Sequence, residues 1–149
     1  MENSSMNLYT KEMQKWLVGI AFLGLLVSGY LFIEYASPNP IPCVSGRGCE
    51  VARASIYSSF LGIPTPAYGI IYYLALGFIG ALWSDETKKK LTPFLIALVG
   101  SAVAVSAFLT YVEAYVIHAW CSWCVMSAIL TLAAAIVTCM LVVPRNTSN

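Results

Sequence analysis

Long apolar runs without charge dominate the sequence and predict its fold. A helix needs about 20 apolar residues to cross the hydrocarbon core of a bilayer. Four runs approach this length, and each contains either no charged residue or a single glutamate near one end. They predict four membrane-spanning helices, at about residues 16–35, 67–83, 93–117 and 121–143.

The first connection, about residues 36–66, is the long one and is the predicted active-site loop. Loops of this length in a compact domain are usually functional. Its proline-rich start, residues 37–42, predicts an extended arm, and the apolar spacing over residues 49–61 predicts a short helix. The predicted fold is an all-α integral membrane protein with a single domain over residues 1–149. It is a four-transmembrane-helix bundle with a short interfacial helix in the first extracytoplasmic loop.

Basic residues predict how the spans are oriented, because Lys and Arg accumulate in cytoplasmic flanks. Two of them, Arg47 and Arg53, lie in the first connection, and the others flank the opposite ends of the spans: Lys11, Lys15, Lys88, Lys89, Lys90 and Arg145. We therefore predict a multi-pass protein of the cell membrane with both termini cytoplasmic and the first and third connections extracytoplasmic. The alternative, a cleaved signal peptide in place of the first span, is disfavoured by the length of its apolar run.

The composition excludes several classes of protein. With 59% hydrophobic and 10% charged residues and a mean hydropathy of +0.76, the chain is too apolar for a soluble domain. A net charge of +1 argues against nucleic acid as a partner. The sequence has no glycine-rich phosphate loop and a single histidine, His118, which argues against a nucleotide or a haem.

Four of the five cysteines form two close pairs, Cys43/Cys49 and Cys121/Cys124. Both pairs are predicted on the extracytoplasmic side, where disulfides form and persist. The spacing of Cys121 and Cys124 puts both thiols in the first turn of the fourth span, whose N-terminus favours a thiolate. Two glycines between Cys43 and Cys49 predict a mobile pair. A mobile pair that exchanges with a fixed pair predicts a thiol-disulfide oxidoreductase. Cys139 is predicted to be a small buried hydrophobe.

The position of the fixed pair also indicates an electron acceptor. Because Cys121 and Cys124 would lie at the end of a membrane bundle, at the depth of the interface, they could reach a molecule dissolved in lipid. A membrane quinone fits that requirement, and no metal is predicted.

Short motifs recur along nearly the whole chain: Pro42-Cys43, Gly48-Cys49, Ser55, Tyr57, Phe60, Gly62-Ile63-Pro64, Gly69, Tyr72-Tyr73, Ala119 to Cys124 and Ser127-Ala128. Together they resemble the vitamin K epoxide reductase family and its bacterial and archaeal homologues. The resemblance implies a quinone-linked enzyme that supports disulfide bond formation, using a menaquinone, ubiquinone or vitamin K type of quinone. Many microbial members carry a fused thioredoxin-like domain, and since this chain ends at Asn149 the expected partner is a separate thioredoxin-fold disulfide carrier.

The resemblance also implies a role for each paired sulfur. Cys124 would reduce the quinone, and Cys121 would be its disulfide partner. Cys49 would exchange with Cys121, and Cys43 would be attacked by the thiolate of the thioredoxin-fold partner.

The resemblance further implies a quinone pocket. Ser55 matches the family's Ser or Thr near that pocket, and Tyr57 and Phe60 would line it together with Cys124. Animal members have a tyrosine four residues after the second cysteine, where this chain has Ala128. This departure leaves the hydrogen-bond partners of the quinone unassigned.

Several alternatives stay open from the sequence. The enzyme could instead reduce a vitamin K quinone or epoxide, as animal members do. The chain could also be a non-enzymatic membrane scaffold stapled by disulfides, or four thiolates could hold a zinc ion. The other quinone-linked disulfide generator of bacteria is disfavoured, because it has no cysteine pair that opens its fourth span.

Three ionisable residues near the predicted ends of the spans need an interpretation. Glu34 and Glu113 are predicted to extend toward the interface, although ionisable residues in lipid are functional candidates. His118 is predicted to be structural, with a proton shuttle to reduced quinone as the alternative.

Overall fold

The structure is a computed structural model that describes residues 2–44 and 46–143. Within these residues the chain forms five α-helices: α1 (Glu2–Ala36), α2 (Gly48–Ala54), α3 (Thr65–Ala81), α4 (Lys88–Tyr111) and α5 (Ser122–Val142). A π-helical turn, Val112–Val116, continues α4. The fold is therefore almost entirely helical, as the apolar runs predict.

Three helices are long and apolar enough to cross a membrane: Asn7–Ala36 in α1, Lys88–Val116 in α4 and its π-helical turn, and Ser122–Val142. The fourth apolar helix, α3, has 17 residues and is shorter. Every predicted span thus contains an apolar helix, but the helix ends differ from the predicted ones. For example, α4 begins at Lys88, more than one turn before the apolar run that starts at about Pro93, and Pro93 lies inside the helix.

The predicted interfacial helix over residues 49–61 is shorter than expected. Helix α2 ends at Ala54, where Ser55 turns to extended backbone and its hydroxyl donates to the Ala52 carbonyl at 2.7 Å. The chain continues through a 3-10 turn, Ile56–Ser58, into two antiparallel strands, β1 (Ser59–Phe60) and β2 (Ile63–Pro64).

The turn of this hairpin explains why the helix does not continue. Leu61 and Gly62 both have positive φ values, 52° and 79°, which a two-residue hairpin turn requires and a helix forbids. Glycine tolerates this conformation, and the adjoining strand pairs hold Leu61 in it.

Tyr73 lies at the centre of the helix packing. It is 1% exposed, and Gly24 of α1 lies directly against its ring. Its hydroxyl is 3.2 Å from the Ser127 hydroxyl and 3.4 Å from the Thr131 hydroxyl of α5. One side chain of α3 therefore joins three helices. The buried core that includes Tyr73 consists of Leu17, Ile20, Ala21, Tyr73, Leu76, Trp83, Leu95, Val99 and Ala134.

The outer faces of the helices are apolar. Large side chains are exposed along each long helix, including Phe22, Phe78, Phe94, Val105 and Ile129. A soluble protein rarely exposes so much contiguous apolar surface, whereas hydrocarbon chains suit it. The burial pattern thus fits helices that lie in lipid.

Candidate functional site

The four paired cysteines meet at one end of the bundle, in a second apolar cluster. Cys49 and Cys121 are buried there, and Cys43 and Cys124 pack against them partly buried. The other buried members of this cluster are Leu31, Ile41 and Ala52. Residues separated by about seventy positions in sequence are thus brought together by the ends of α1 and α5 and by α2.

Hydrogen bonds hold the proline-rich arm in place above α5. The indole N–H of Trp123 donates to the Pro42 carbonyl at 2.8 Å, and the Ile41 N–H donates to the Glu50 carboxylate at 2.7 Å. Arg53 donates to the carbonyls of Glu34 and Asn39 at 3.2 and 3.1 Å. The arm is therefore positioned by both neighbouring helices, and it delivers Cys43 to the start of α5.

The outer pair, Cys43 and Cys49, forms a disulfide. Its two ends differ in access, because Cys49 is buried and Cys43 is only partly buried. The segment after Cys43 faces outward, with Val44 97% exposed. The Cys43 sulfur also lies 3.5 Å from the Ser122 hydroxyl at the start of α5. An external reagent would therefore meet Cys43 before Cys49.

The inner pair, Cys121 and Cys124, consists of two free thiols. Cys121 caps α5, and its sulfur accepts the backbone N–H of Cys124 at 3.4 Å. The Cys124 thiol also lies within hydrogen-bonding reach of the Cys121 sulfur, so two donors can stabilise a thiolate there. Negative charge on this pair is therefore favoured at Cys121, at the N-terminus of α5.

Glu113 is a site residue whose role the sequence analysis did not identify. Its carboxylate accepts the Cys121 N–H at 3.4 Å and is hydrogen-bonded to the Cys124 thiol. The prediction that it extends toward the interface is wrong, because Glu113 is 5% exposed and points inward. The π-helical turn supplies the reason, since its extra residue changes which side chains face the bundle.

The state of the four paired cysteines bears on the alternative of a zinc site. Cys43 and Cys49 are bonded to each other, so the structure has no four-thiolate arrangement among its described residues. Glu113, Cys121 and Cys124 could together hold a metal ion, since their ligand atoms lie within 4.8 Å of one another.

A cavity of about 340 Å³ begins at the inner pair and lies between α1, α3, α4 and α5. This is within the usual size range of a ligand pocket. Cys124 lines it, and Cys121 does not. Its wall also includes Ser28, Tyr72, Tyr73, Val105, Leu109 and Glu113. One cysteine of the pair thus lines the cavity, and the other is buried in the same cluster as Cys49 of the outer disulfide.

The residues predicted to form a quinone pocket lie elsewhere, apart from Cys124. Ser55, Tyr57 and Phe60 are not among the residues that line the cavity. The ring of Tyr57 lies 6.1 Å from that of Phe108, and Phe60 lies 6.2 Å from the cavity residue Tyr68. The hairpin explains this placement because it carries Phe60 outward. A contact between these three residues and a quinone stays a prediction.

The remaining residues singled out in the sequence lie apart from this wall. His118 is exposed, has a φ of 49°, and its ring lies 3.1 Å from the Ala114 carbonyl. Glu34 is partly buried and does not line the cavity. Cys139 is a free and exposed thiol near the other end of α5, so its predicted burial is wrong within the isolated chain.

Comparison with known families identifies a match over most of the chain. The model of the vitamin K epoxide reductase family matches residues 15–139, which is most of the chain. The match includes all four paired cysteines, Glu113 and the whole lining of the cavity.

Proposed function

Because this chain belongs to the vitamin K epoxide reductase family, a family of membrane oxidoreductases, we propose that it catalyses quinone-linked disulfide formation. It would oxidise the dithiol of an extracytoplasmic thioredoxin-fold carrier and pass the electrons to a membrane quinone. One arrangement carries this proposal: a closed outer disulfide, an open inner dithiol, and a cavity that meets the inner dithiol only at Cys124.

The proposal includes four membrane crossings. Helix α3 would cross the membrane in addition to the three longer helices and would be the second span in chain order. Its 17 residues correspond to about 26 Å of helix, which is at the lower limit for crossing. Both termini would be cytoplasmic and the cysteines extracytoplasmic. Support comes from Lys11, Lys15 and the lysines at the start of α4, whereas Arg53 lies at the cysteine end. Arg145 lies outside the described residues.

The first half of the reaction takes place at the outer disulfide. The carrier's thiolate attacks the Cys43 sulfur and displaces Cys49 as a thiolate. The carrier's second thiol then attacks the resulting mixed disulfide, which releases oxidised carrier and leaves Cys43 and Cys49 reduced. The partial exposure of Cys43 and the burial of Cys49 favour this order.

The second half transfers the two electrons inward. The Cys49 thiolate attacks Cys121 of an inner disulfide and releases Cys124, and Cys43 then attacks Cys49 to restore the outer disulfide. The product is the state of the present structure, with the outer pair closed and the inner pair open. Oxidation of Cys121 and Cys124 to a disulfide then delivers two electrons and two protons to the quinone, which leaves as hydroquinone.

Glu113 is suited to handle a proton in that last step. It is hydrogen-bonded to the Cys124 thiol, lines the cavity, and has no ion-pair partner among residues 2–44 and 46–143. A carboxylate at this position can accept the Cys124 proton as the sulfur reacts and return it to a quinone oxygen.

We expect Glu113→Gln to lower kcat for quinone reduction by about 100-fold, the loss typical of a removed general base. The amide keeps the size of the side chain but cannot accept the proton, so the pH dependence of kcat should change as well. Glu34→Gln is the matched control, since Glu34 does not line the cavity, and it should retain kcat. Equal activity of the two variants would remove Glu113 from the mechanism.

The order of the outer sulfurs can be tested by trapping. A thioredoxin-fold protein with its resolving cysteine replaced is activated as a mixed disulfide with thionitrobenzoate. Cys49→Ser should displace the coloured thiolate through Cys43 and form a stable covalent complex. The reason is that no neighbouring outer thiol remains to resolve the complex.

The matched variant Cys43→Ser should react at least about tenfold more slowly, because Cys49 is 1% exposed. The measurement is the rate of colour release together with the band of the complex on a non-reducing gel. Faster capture by Cys43→Ser would reverse the order, and capture by neither variant would favour a disulfide-stapled scaffold.

A further inference from the structure

The hydroxyl of Tyr72 is buried in α3 and has no hydrogen-bond partner among the described residues, 2–44 and 46–143. Buried polar groups are nearly always paired, and an unpaired one is costly, all the more so in lipid. Thr138 is the other such group among these residues, but it does not line the cavity. Tyr72 does line it.

The neighbouring Tyr73 shows the contrast. Its ring centroid is 4.7 Å from that of Tyr72, and it lines the same cavity. Its hydroxyl, however, has partners on α5, in the Ser127 carbonyl and the hydroxyls of Ser127 and Thr131. The chain therefore satisfies one of two adjacent tyrosines through its own packing and leaves the other available to a ligand.

Three other hydroxyls of lining residues already donate hydrogen bonds within the protein. Hydroxyls that face the cavity donate to nearby carbonyls at 2.9 Å, as Tyr68 does to Phe60 and Ser101 does to Leu98. Thr110 likewise donates to Ser106 at 2.9 Å. Tyr72 thus brings an O–H donor without a partner among the described residues to the wall of a mainly apolar cavity, which Cys124 also lines.

A quinone matches this donor in chemistry. It has a flat apolar ring and two carbonyl oxygens that accept hydrogen bonds, and one oxygen gains negative charge as Cys124 reduces the ring. We propose that the Tyr72 hydroxyl donates a hydrogen bond to a quinone carbonyl and so orients the ring and stabilises that charge. This inference rests on the proposed quinone-linked function and assigns its substrate-binding donor.

The test compares Tyr72→Phe with Tyr73→Phe in purified protein, with menadione as the quinone. Tyr72→Phe should raise the Kd for menadione about tenfold, the loss expected for one hydrogen bond in a dry site. Its Tm should be unchanged or higher, because the substitution removes an unpaired buried group. Tyr73→Phe should instead lower the Tm, because it removes a hydroxyl that has partners on α5. Tyr115 does not line the cavity, so Tyr115→Phe should keep the Kd within about twofold of that of the unmodified protein.

A second ligand separates hydrogen bonding from a change of shape. 2-Methylnaphthalene has the ring and methyl group of menadione but no carbonyl oxygen, so its Kd should be the same in the unmodified protein and in Tyr72→Phe. If the Kd values for menadione and 2-methylnaphthalene rose equally, the variant would have altered the shape of the cavity. That result would overturn the assignment of Tyr72 as a hydrogen-bond donor to the quinone.

The remaining outcomes are also decisive. An unchanged Kd for menadione in Tyr72→Phe would show that the hydroxyl makes no hydrogen bond to the quinone. A lower Tm would show that the hydroxyl has a partner within the protein. Either result would overturn the inference while the proposed function stands. If the unmodified protein binds no quinone, both fail. The trapping of a carrier at Cys43 would still report on the outer disulfide.

Discussion

Replacement of Cys124 by alanine is expected to lower quinone-dependent oxidation of a thioredoxin-fold carrier by about a thousandfold or more. Of the two inner sulfurs, Cys124 is the one that lines the cavity, so Cys121 cannot replace it without a movement of the α5 N-terminus. The variant also has no inner disulfide to accept electrons from Cys49.

The number of carrier molecules that each Cys124→Ala molecule oxidises is a second measurable consequence, besides the lower rate. The outer disulfide is intact in Cys124→Ala, so the variant should oxidise one equivalent of reduced carrier and then stop. The unmodified protein should continue until the quinone is consumed. The amount of quinone consumed is measured from its absorbance, and the amount of carrier oxidised is measured by titration of its thiols.

Cys139→Ala is the matched control for Cys124→Ala. It removes the third free cysteine from the same helix, and Cys139 does not line the cavity. This variant should turn over at the rate of the unmodified protein. Multiple turnovers by Cys124→Ala would disprove the role of Cys124 at the quinone, and no first equivalent would disprove the role of the outer disulfide.

The largest effect on stability is expected for Gly24→Ala, at about 3 kcal/mol of unfolding free energy. A Cβ atom at this position would overlap the ring of Tyr73. That ring cannot move away easily, since it is 1% exposed and its hydroxyl is held by Ser127 and Thr131. The substitution should therefore separate α1 from α3 and distort the cavity.

Gly19→Ala tests whether the effect belongs to this contact. Gly19 lies in the same helix, but a Cβ there would meet nothing within 4 Å, so its unfolding free energy should change by about 0.5 kcal/mol or less. The measurement is thermal or denaturant unfolding in the same detergent. Equal stability of Gly24→Ala and Gly19→Ala would contradict the packing of α1 on α3.

A double variant can locate the strain. If Gly24→Ala acts through the ring of Tyr73, its cost should be smaller in a Tyr73→Leu background, and the two substitutions should show a coupling energy of about 1 kcal/mol or more. Additive effects would place the cause of the instability elsewhere.

Membership of the vitamin K epoxide reductase family was predicted from the sequence and is confirmed by the family match over residues 15–139. The motifs allowed this prediction because short segments such as Gly48-Cys49 and Cys121-Ser122-Trp123-Cys124 are specific in themselves. The prediction that the protein is membrane-embedded was equally direct, since the length and hydropathy of a helix are local properties.

The site was predicted less completely than the fold. Helix α2 and the hairpin after it were predicted as one helix, because apolar spacing over a dozen residues does not report a positive φ at Leu61. The sequence marks Glu113 as an ionisable residue in a span, but the π-helical turn that orients it toward the thiols has no clear sequence signature. Tyr72 stands out in the sequence only as part of a family motif.

The two cysteine pairs, the apolar spans and the family were determined by the sequence alone, because each depends on spacing or composition within one segment. The tertiary structure decided which sulfur faces the cavity, where the carboxylate of Glu113 lies, and which of two adjacent tyrosines lacks a partner. These features depend on how α1, α3, α4 and α5 pack against one another. A rotation of one helix by a single residue turns a side chain by about 100°, which is enough to move a thiol or a hydroxyl from the cavity to the lipid.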